Sequence, residues 1–239
     1  MPPLVSLCTP TKDRSAFLAL LRQCIERQTY PASQLEWVVV DDGAESAEAV
    51  CASFPGLRYV RLDPTGGPFT LGHKRNLCHQ ASTGAILINL DDDDYYPPER
   101  VAHAVESLLA NPRQLIAGSS ELPLYFPDRN EIWHLGPYGP NHATAATFAF
   151  RRSLLAITSY DEKAVRAEES HFLQGFEIPM VQLEPRKTIL ALSHARNTFD
   201  KRPLLTDPSR SLARLSTSNL AEVIAEPFLM EGYLELIRK

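Results

Sequence analysis

Four consecutive carboxylates, Asp91-Asp92-Asp93-Asp94, close the apolar run Ala85-Ile86-Leu87-Ile88-Asn89-Leu90. Carboxylate oxygens suit a hard divalent cation, Mg2+ or Mn2+, which shares its coordination shell with the phosphates of a substrate. The Ile and Leu residues before them read as a buried strand of a parallel sheet. In open α/β sheets, ligands bind just outside the carboxyl ends of such strands. Like charges this close repel one another, so something must compensate them. The competing reading is a solvated acidic turn, stopped by Tyr96-Pro97-Pro98.

A second acidic strand end, Asp41-Asp42-Gly43, follows the apolar Leu35–Val40, and a basic cluster, His73-Lys74-Arg75, opens a helical stretch. These residues need a scaffold, and the first half of the chain supplies one by alternation. Strands are expected at Leu4–Thr9, Leu35–Val40, Leu57–Leu62 and Ala85–Leu90. Helices are expected at Ser15–Gln28, Ser46–Phe54, Leu71–Ala81 and Pro98–Leu109, the last with proline in its first turn. Thr65-Gly66-Gly67-Pro68 reads as a loop. Such βα succession predicts an α/β fold with a mostly parallel, doubly wound sheet. From Leu115 onward the runs Leu122–Phe126, Ala145–Phe150 and Ile189–Ser193, separated by Pro, Gly, Asn and Asp, suggest antiparallel strands. The stretch from Ser218 to Lys239 has helical spacing, interrupted at Pro227, and an apolar stripe that can pack on the domain, on another copy or on a membrane surface.

Composition is that of a soluble globular protein, with 44% hydrophobic and 22% charged residues among 239. A net charge of −5 argues against nucleic-acid binding by bulk charge. No apolar run reaches the length of a membrane span, and the first residues lack the basic flank and apolar core of a signal peptide. Cys8, Cys24, Cys51 and Cys78 are scattered without metal-ligand spacing, as expected for reduced thiols of a cytoplasmic protein.

The strand-end motifs, taken together, resemble family 2 glycosyltransferases. Val5-Ser6-Leu7-Cys8-Thr9-Pro10-Thr11-Lys12-Asp13-Arg14 is similar to that family's opening V-S-I-I-I-P-T-Y-N-R, and Val38–Gly43 to its V-V-D-D-G-S. Gly72–Leu77, Ala81-Ser82-Thr83-Gly84 and Leu90–Asp94 resemble G-x-x-x-A-R-N-x-G, A-x-G-E and L-D-x-D-D, in the same order. The resemblance covers Val5 to Leu109 closely and the remainder loosely. It implies one GT-A domain over 1–239: a nucleotide-sugar-binding half (about 1–118), a smaller antiparallel acceptor half (about 119–200) and a C-terminal helical tail (201–239).

The resemblance also implies roles. Asp93 would coordinate the metal, with Asp91 or Asp92 contacting the ribose or completing the shell; Asp94 would support them. Pro10, Thr11, Arg14, Asp42 and Arg75 would line the nucleotide pocket, with Asp42 accepting a hydrogen bond from the base, for which uracil N3–H is a natural donor. Ala167-Glu168-Glu169-Ser170-His171-Phe172 is similar to the family's G-E-D segment, which makes Glu169 the general base and Glu168 its alternate. Ala167 stands where the family has Gly, and Glu169 where Asp is commoner. His194 corresponds to a histidine that serves some relatives as a metal ligand, and Arg196 could reach the diphosphate or cap its loop. Trp133 and Tyr138, beside Gly136-Pro137 and Gly139-Pro140, are candidates to stack on an acceptor sugar. The expectation is an inverting, Mn2+- or Mg2+-dependent enzyme moving a sugar from a UDP-sugar, or a dTDP- or GDP-sugar, to a hydroxyl of a glycan or lipid-linked acceptor. It would be cytoplasmic, without a span, and open to peripheral membrane association. The alternatives are a nucleotide-sugar or cation-binding module without turnover and a sugar-1-phosphate nucleotidyltransferase. For the latter, Pro10–Arg14 lacks the glycines of a phosphate loop.

Overall fold

The computed structural model describes residues 1–67, 69–164, 167–197, 200–205 and 212–238. Pro68 of the expected loop, 165–166 and 198–199 of the expected acceptor half, and 206–211 and Lys239 of the expected tail lie outside the described residues.

The first half alternates as its patterning requires: β1 (Val5–Thr11), α1 (Ser15–Glu26), β2 (Leu35–Asp41), α2 (Glu48–Cys51), β3 (Leu57–Arg61), α3 (Leu71–Ala81), β4 (Ile86–Asn89) and α4 (Arg100–Ala110). β1 runs parallel to β2 on one side and to β4 on the other, and β2 runs parallel to β3. Every residue of β1, β2 and β4 is buried. Alternate side chains enter different cores, as a two-residue period dictates. Leu7, Val39 and Ile88 meet α1 and α4, whereas Cys8, Val38 and Leu87 share a second core with Cys78 of α3. Covered on both faces, these strands can be apolar throughout. All four cysteines are free and buried.

Beyond α4 the chain adds β5 (Ile116–Gly118), β6 (Leu122–Phe126), β7 (Glu131–Leu135), β8 (Ala149–Arg151), a short α5 (Glu169–Phe172), β9 (Met180–Gln182), β10 (Ala191–Leu192) and β11 (Ala213–Leu215). The large sheet has the order β3-β2-β1-β4-β8-β5-β9, with β8 antiparallel to both neighbours. The smaller sheet, β10-β6-β7-β11, is antiparallel except between β10 and β6. Two expectations shift here. The strand expected over Ala145–Phe150 starts only at Ala149, after a 3-10 turn (Ala145–Thr147). Trp133, expected on a Gly/Pro loop, lies inside β7, because Glu131–Leu135 pairs with β6 before Gly136 ends the strand.

Two contacts position the site. Gly72 lets the 160–164 segment cross α3 closely: a Cβ there would lie 2.0 Å from the Asp161 carbonyl oxygen. After α6 (Leu220–Val223), α7 (Pro227–Ile237) opens on proline and buries Leu229, Tyr233 and Ile237 in the core shared with α1. Among the described residues, no helix is long and apolar enough to cross a membrane.

Candidate active site

The register of β2, β1 and β4 sets Asp42, Thr11 and the Asp run along one edge of the sheet. Basic and polar side chains compensate the carboxylates. Thr11 Oγ1 donates to Asp92 Oδ2 at 2.6 Å. Arg14 Nη1 bridges two acids, 2.9 Å from Asp92 Oδ1 and 2.8 Å from Asp93 Oδ2, while Nη2 donates to the Arg196 carbonyl. Asp91 pairs with Arg75 at 2.8 Å. Asp94 Oδ1 accepts the Leu192 N–H at 3.0 Å, and its carbonyl accepts the Tyr233 hydroxyl at 3.0 Å.

The compensation is uneven. Burial, with repulsion from Asp93, raises Asp92 to about 7. Burial raises Asp94 to about 7, and nearby Lys201 only partly offsets it. Burial pushes Asp93 upward too, but the His194 hydrogen bond and the Arg14 charge outweigh it and hold that group well below the usual carboxylate range. Asp93 is thus held below the usual carboxylate range while Asp92 and Asp94 are raised above it.

Asp93 is also where a cation fits. His194 Nε2 lies 3.0 Å from Asp93 Oδ2, and Asn197 Nδ2 lies 3.2 Å from the same oxygen. Neighbouring donors in an octahedral shell with bonds of about 2.1 Å stand about 3 Å apart. The Asp93–His194 separation meets that spacing. The His194 ring stacks on Phe17 at 4.9 Å and its Nδ1 accepts the Arg196 N–H at 3.2 Å, which leaves Nε2 turned toward Asp93 and Asn197. Among the described residues no three His, Cys, Asp or Glu side chains form a ready cage. An ion that keeps waters and substrate phosphates needs only one or two protein ligands.

Asp41 and Asp42 separate in role. Asp41 builds the turn: it accepts the Gly43 N–H at 2.8 Å and the Ala47 N–H at 3.0 Å, and pairs with Arg61 at 3.2 Å. Asp42 faces α3, where Lys74 Nζ lies 2.8 Å from its Oδ1. Pro10 is buried within β1.

Arg75 departs most from expectation. Instead of presenting a guanidinium to a nucleotide, it is 2% exposed. Its Nη2 holds Asp91, and its Nε holds Glu168 Oε1 at 2.9 Å. Burial opposes its charge, and Asp91 and Glu168 more than offset this. Arg75 thus ties the start of α5 to the end of β4 and occupies Glu168. Glu169, the first residue of α5, has no ion-pair partner among the described residues. Burial, with the charge of Glu168, raises its pKa. Ala167 adopts φ 54°, the left-handed region where the sequence departs from glycine.

Tyr138, 39% exposed, joins an aromatic row. Its ring centroid lies 4.9 Å from that of His142, which stacks on Phe176 at 4.8 Å, just beyond α5. Trp133 takes no part in it; its Nε1 donates to Glu131 at 2.9 Å within the smaller sheet. A cavity of about 770 Å3, lined by Thr158, Asp161 and His171 among others, touches these groups through Glu168. Sequence reasoning gave no role to Asn197, Lys74 or Lys201. Asn197 is three residues from His194, and that proximity was its one available signal; Lys74 was visible only as a member of the basic cluster His73-Lys74-Arg75.

A mostly parallel sheet thus carries carboxylates at its strand ends, with Asp93 and His194 3.0 Å apart beside them. The glycosyl transferase family 2 model matches residues 6–168, well over half of the chain, and the chain belongs to that family. An uncharacterised glycosyltransferase of Haemophilus influenzae is 29% identical over 111 residues, 46% of this chain and 36% of that protein. Two solved structures share the GT-A fold. The Pyrobaculum calidifontis mannosyltransferase PcManGT, in complex with GDP-Man and Mn2+, has a TM-score of 0.64 at 20% identity, covering 82% of this chain and 59% of that one. S. aureus TarS 1-349, in complex with UDP, has a TM-score of 0.62 at 18% identity, covering 80% of this chain and 60% of that one. The chain thus spans about a third of the curated relative and about 60% of each solved structure.

Proposed function

We propose that this protein is an inverting, metal-dependent glycosyltransferase that moves a sugar from a nucleotide-sugar to a hydroxyl of a glycan or lipid-linked acceptor. The observation carrying this reading is the convergence of Asp93 and His194 at 3.0 Å beside an acidic strand end, with the Glu169 carboxyl, of raised pKa and without an ion-pair partner among the described residues, on the segment that Arg75 ties to it. The UDP and GDP-Man complexes of the two structural neighbours support a nucleotide-sugar donor.

Each residue then has a task. Asp42 accepts from the base, and Thr11 and Arg14 line the nucleotide path. Asp93 and His194 hold Mn2+ or Mg2+, an ion that supplies positive charge for a departing diphosphate. Glu169 takes the acceptor hydroxyl's proton as that oxygen forms its bond to the sugar C1 on the face opposite the diphosphate. A carboxyl with a raised pKa is a better proton acceptor than an ordinary one. Arg75 keeps Glu168 out of that role. Tyr138, on its aromatic row, offers a stacking surface for an acceptor ring.

Calorimetric titration with UDP, GDP and dTDP, with and without Mn2+, followed by an assay for sugar release from the matching donor, tests the proposal. Metal-dependent binding of one nucleotide with release of its sugar is expected. Binding without release would make the chain a nucleotide-sugar-binding module, and no binding to any of the three would remove the transferase reading.

A further inference from the structure

The two oxygens of Asp42 are not alike. Oδ1 accepts from Lys74 Nζ at 2.8 Å, and the same ammonium donates to the Thr11 carbonyl at 3.2 Å. Lys74 is therefore fastened at two points, and it is only 7% exposed. Oδ2 is buried and accepts no hydrogen bond among the described residues; the half-exposed Lys12 ammonium stands 3.5 Å away. A buried carboxylate oxygen without a donor costs free energy until a ligand supplies one.

We propose that Lys74 is a specificity-determining residue: by seating its ammonium on Asp42 Oδ1 it leaves Oδ2 as the oxygen of that carboxylate without a donor, which selects a uracil-type imide over guanine. The inference rests on the nucleotide-sugar reading above and concerns which nucleotide that site takes. Guanine presents two adjacent donors, N1–H and the N2 amine, which match both oxygens of a free carboxylate, as a guanidinium does. With the Lys74 ammonium seated on Oδ1, the second guanine donor meets a cation instead of a free oxygen and loses its water in a buried site. Uracil presents a single N3–H between two carbonyl oxygens. That edge sets one donor on Oδ2 and turns its flanking acceptors toward the ammonium groups of Lys74 and Lys12. The same lysine thus blocks one base and complements the other.

The test compares UDP and GDP affinities, with Mn2+, for the whole chain and for Lys74→Met and Lys74→Gln. The unaltered protein should favour UDP. Lys74→Met, which frees Oδ1, should shift the UDP-to-GDP ratio toward GDP on the order of tenfold or more, the worth of one well-paired donor set. Lys74→Gln loses the same charge but keeps an N–H on Oδ1, so it should retain the preference. An unchanged ratio in Lys74→Met, the same shift in both variants, or a wild-type preference for GDP would overturn the proposal. Wild-type protein that binds neither nucleotide would instead overturn the nucleotide-sugar reading, and the proposal with it. If Lys74→Met does not fold, the unaltered protein still decides. Inosine diphosphate lacks only guanine's N2 amine, so it should bind more tightly than GDP, and equal affinities would overturn the proposal.

Discussion

Glu36 and Asp92 are buried at opposite ends of the same parallel strands, and their surroundings differ in kind. Glu36, at the start of β2, accepts from Ser6 Oγ, from Thr83 N and Oγ1, from Gly84 N and from Arg58 Nε. Burial pushes its pKa up, but these donors outweigh it and leave the carboxylate at about 2. Among the described residues Asp92 accepts from Thr11 and Arg14 alone, and burial with the adjacent Asp93 raises it to about 7. A carboxylate that the protein saturates with short-range donors is a structural joint: Glu36 ties β1, β2 and the turn before β4 together. A carboxylate left short of donors keeps acceptor capacity for something else.

The sharpest test of this contrast swaps the expected losses. Glu169→Gln and Asp93→Ala should each lower transfer by on the order of 10²–10⁴-fold, the scale of a general base or a lost charge-stabilising group, and Glu169→Gln should do so with little change in thermal stability. Glu36→Gln should do the reverse. It should cost about 3 kcal/mol of stability, since a donor-bearing amide would face backbone N–H groups, and leave transfer per folded molecule intact. Kinetics and denaturant unfolding on the same samples check both; a Glu36→Gln enzyme that is stable but inactive would break the comparison.

Acid and neutral pH should separate the two ends as well. Glu36 has a lower pKa folded, about 2, than unfolded, about 4.5. Its contribution is complete above about 4.5 and is lost as pH falls toward 2. Asp92 and Asp94 have the opposite sign, near 7 folded against 3.8 unfolded. Their cost is absent below about 4 and grows as pH rises to 7. Metal-free protein should therefore lose stability on both sides of about pH 4–5. Asp94→Asn should flatten the neutral side alone, read as melting temperature against pH. The smallest effect is expected at Ala167, where glycine relieves the left-handed backbone at some cost in unfolded-chain entropy. Ala167→Gly should change stability by about 0.5 kcal/mol or less, and a large loss would mean that the turn before Glu168 depends on the methyl group.

The β1 to α4 succession was legible because β1, β2 and β4 are buried throughout and α1 and α4 are periodic; α3 falls on the expected residues, Leu71–Ala81. The Asp run, Glu169 and His194 were legible as motifs. What stayed hidden is pairing. Helix α3 buries Lys74, Arg75, Asn76 and His79, so its inward face is polar and hydrophobic periodicity cannot find it. Glu36 sits inside the run Leu35–Val40 with no partner in view, and Ser82-Thr83-Gly84 matched a motif without a visible purpose. Only the fold brings them together, with Gly84 pressed so close that a Cβ would lie 2.6 Å from the Ser6 nitrogen. The second half was read less well because its strands are two to five residues long and pair across long separations.

The hydroxyl of Tyr233 on the Asp94 carbonyl gives the chain an order of maturation. During synthesis, Asp91–Asp94 leave the ribosome well over a hundred residues before Tyr233 does. Until α7 docks against α1, Asp94 can take the Leu192 N–H on its side chain but has no Tyr233 hydroxyl on its carbonyl. A nascent chain therefore carries the acidic run well before it carries the hydroxyl that meets the run's last carbonyl.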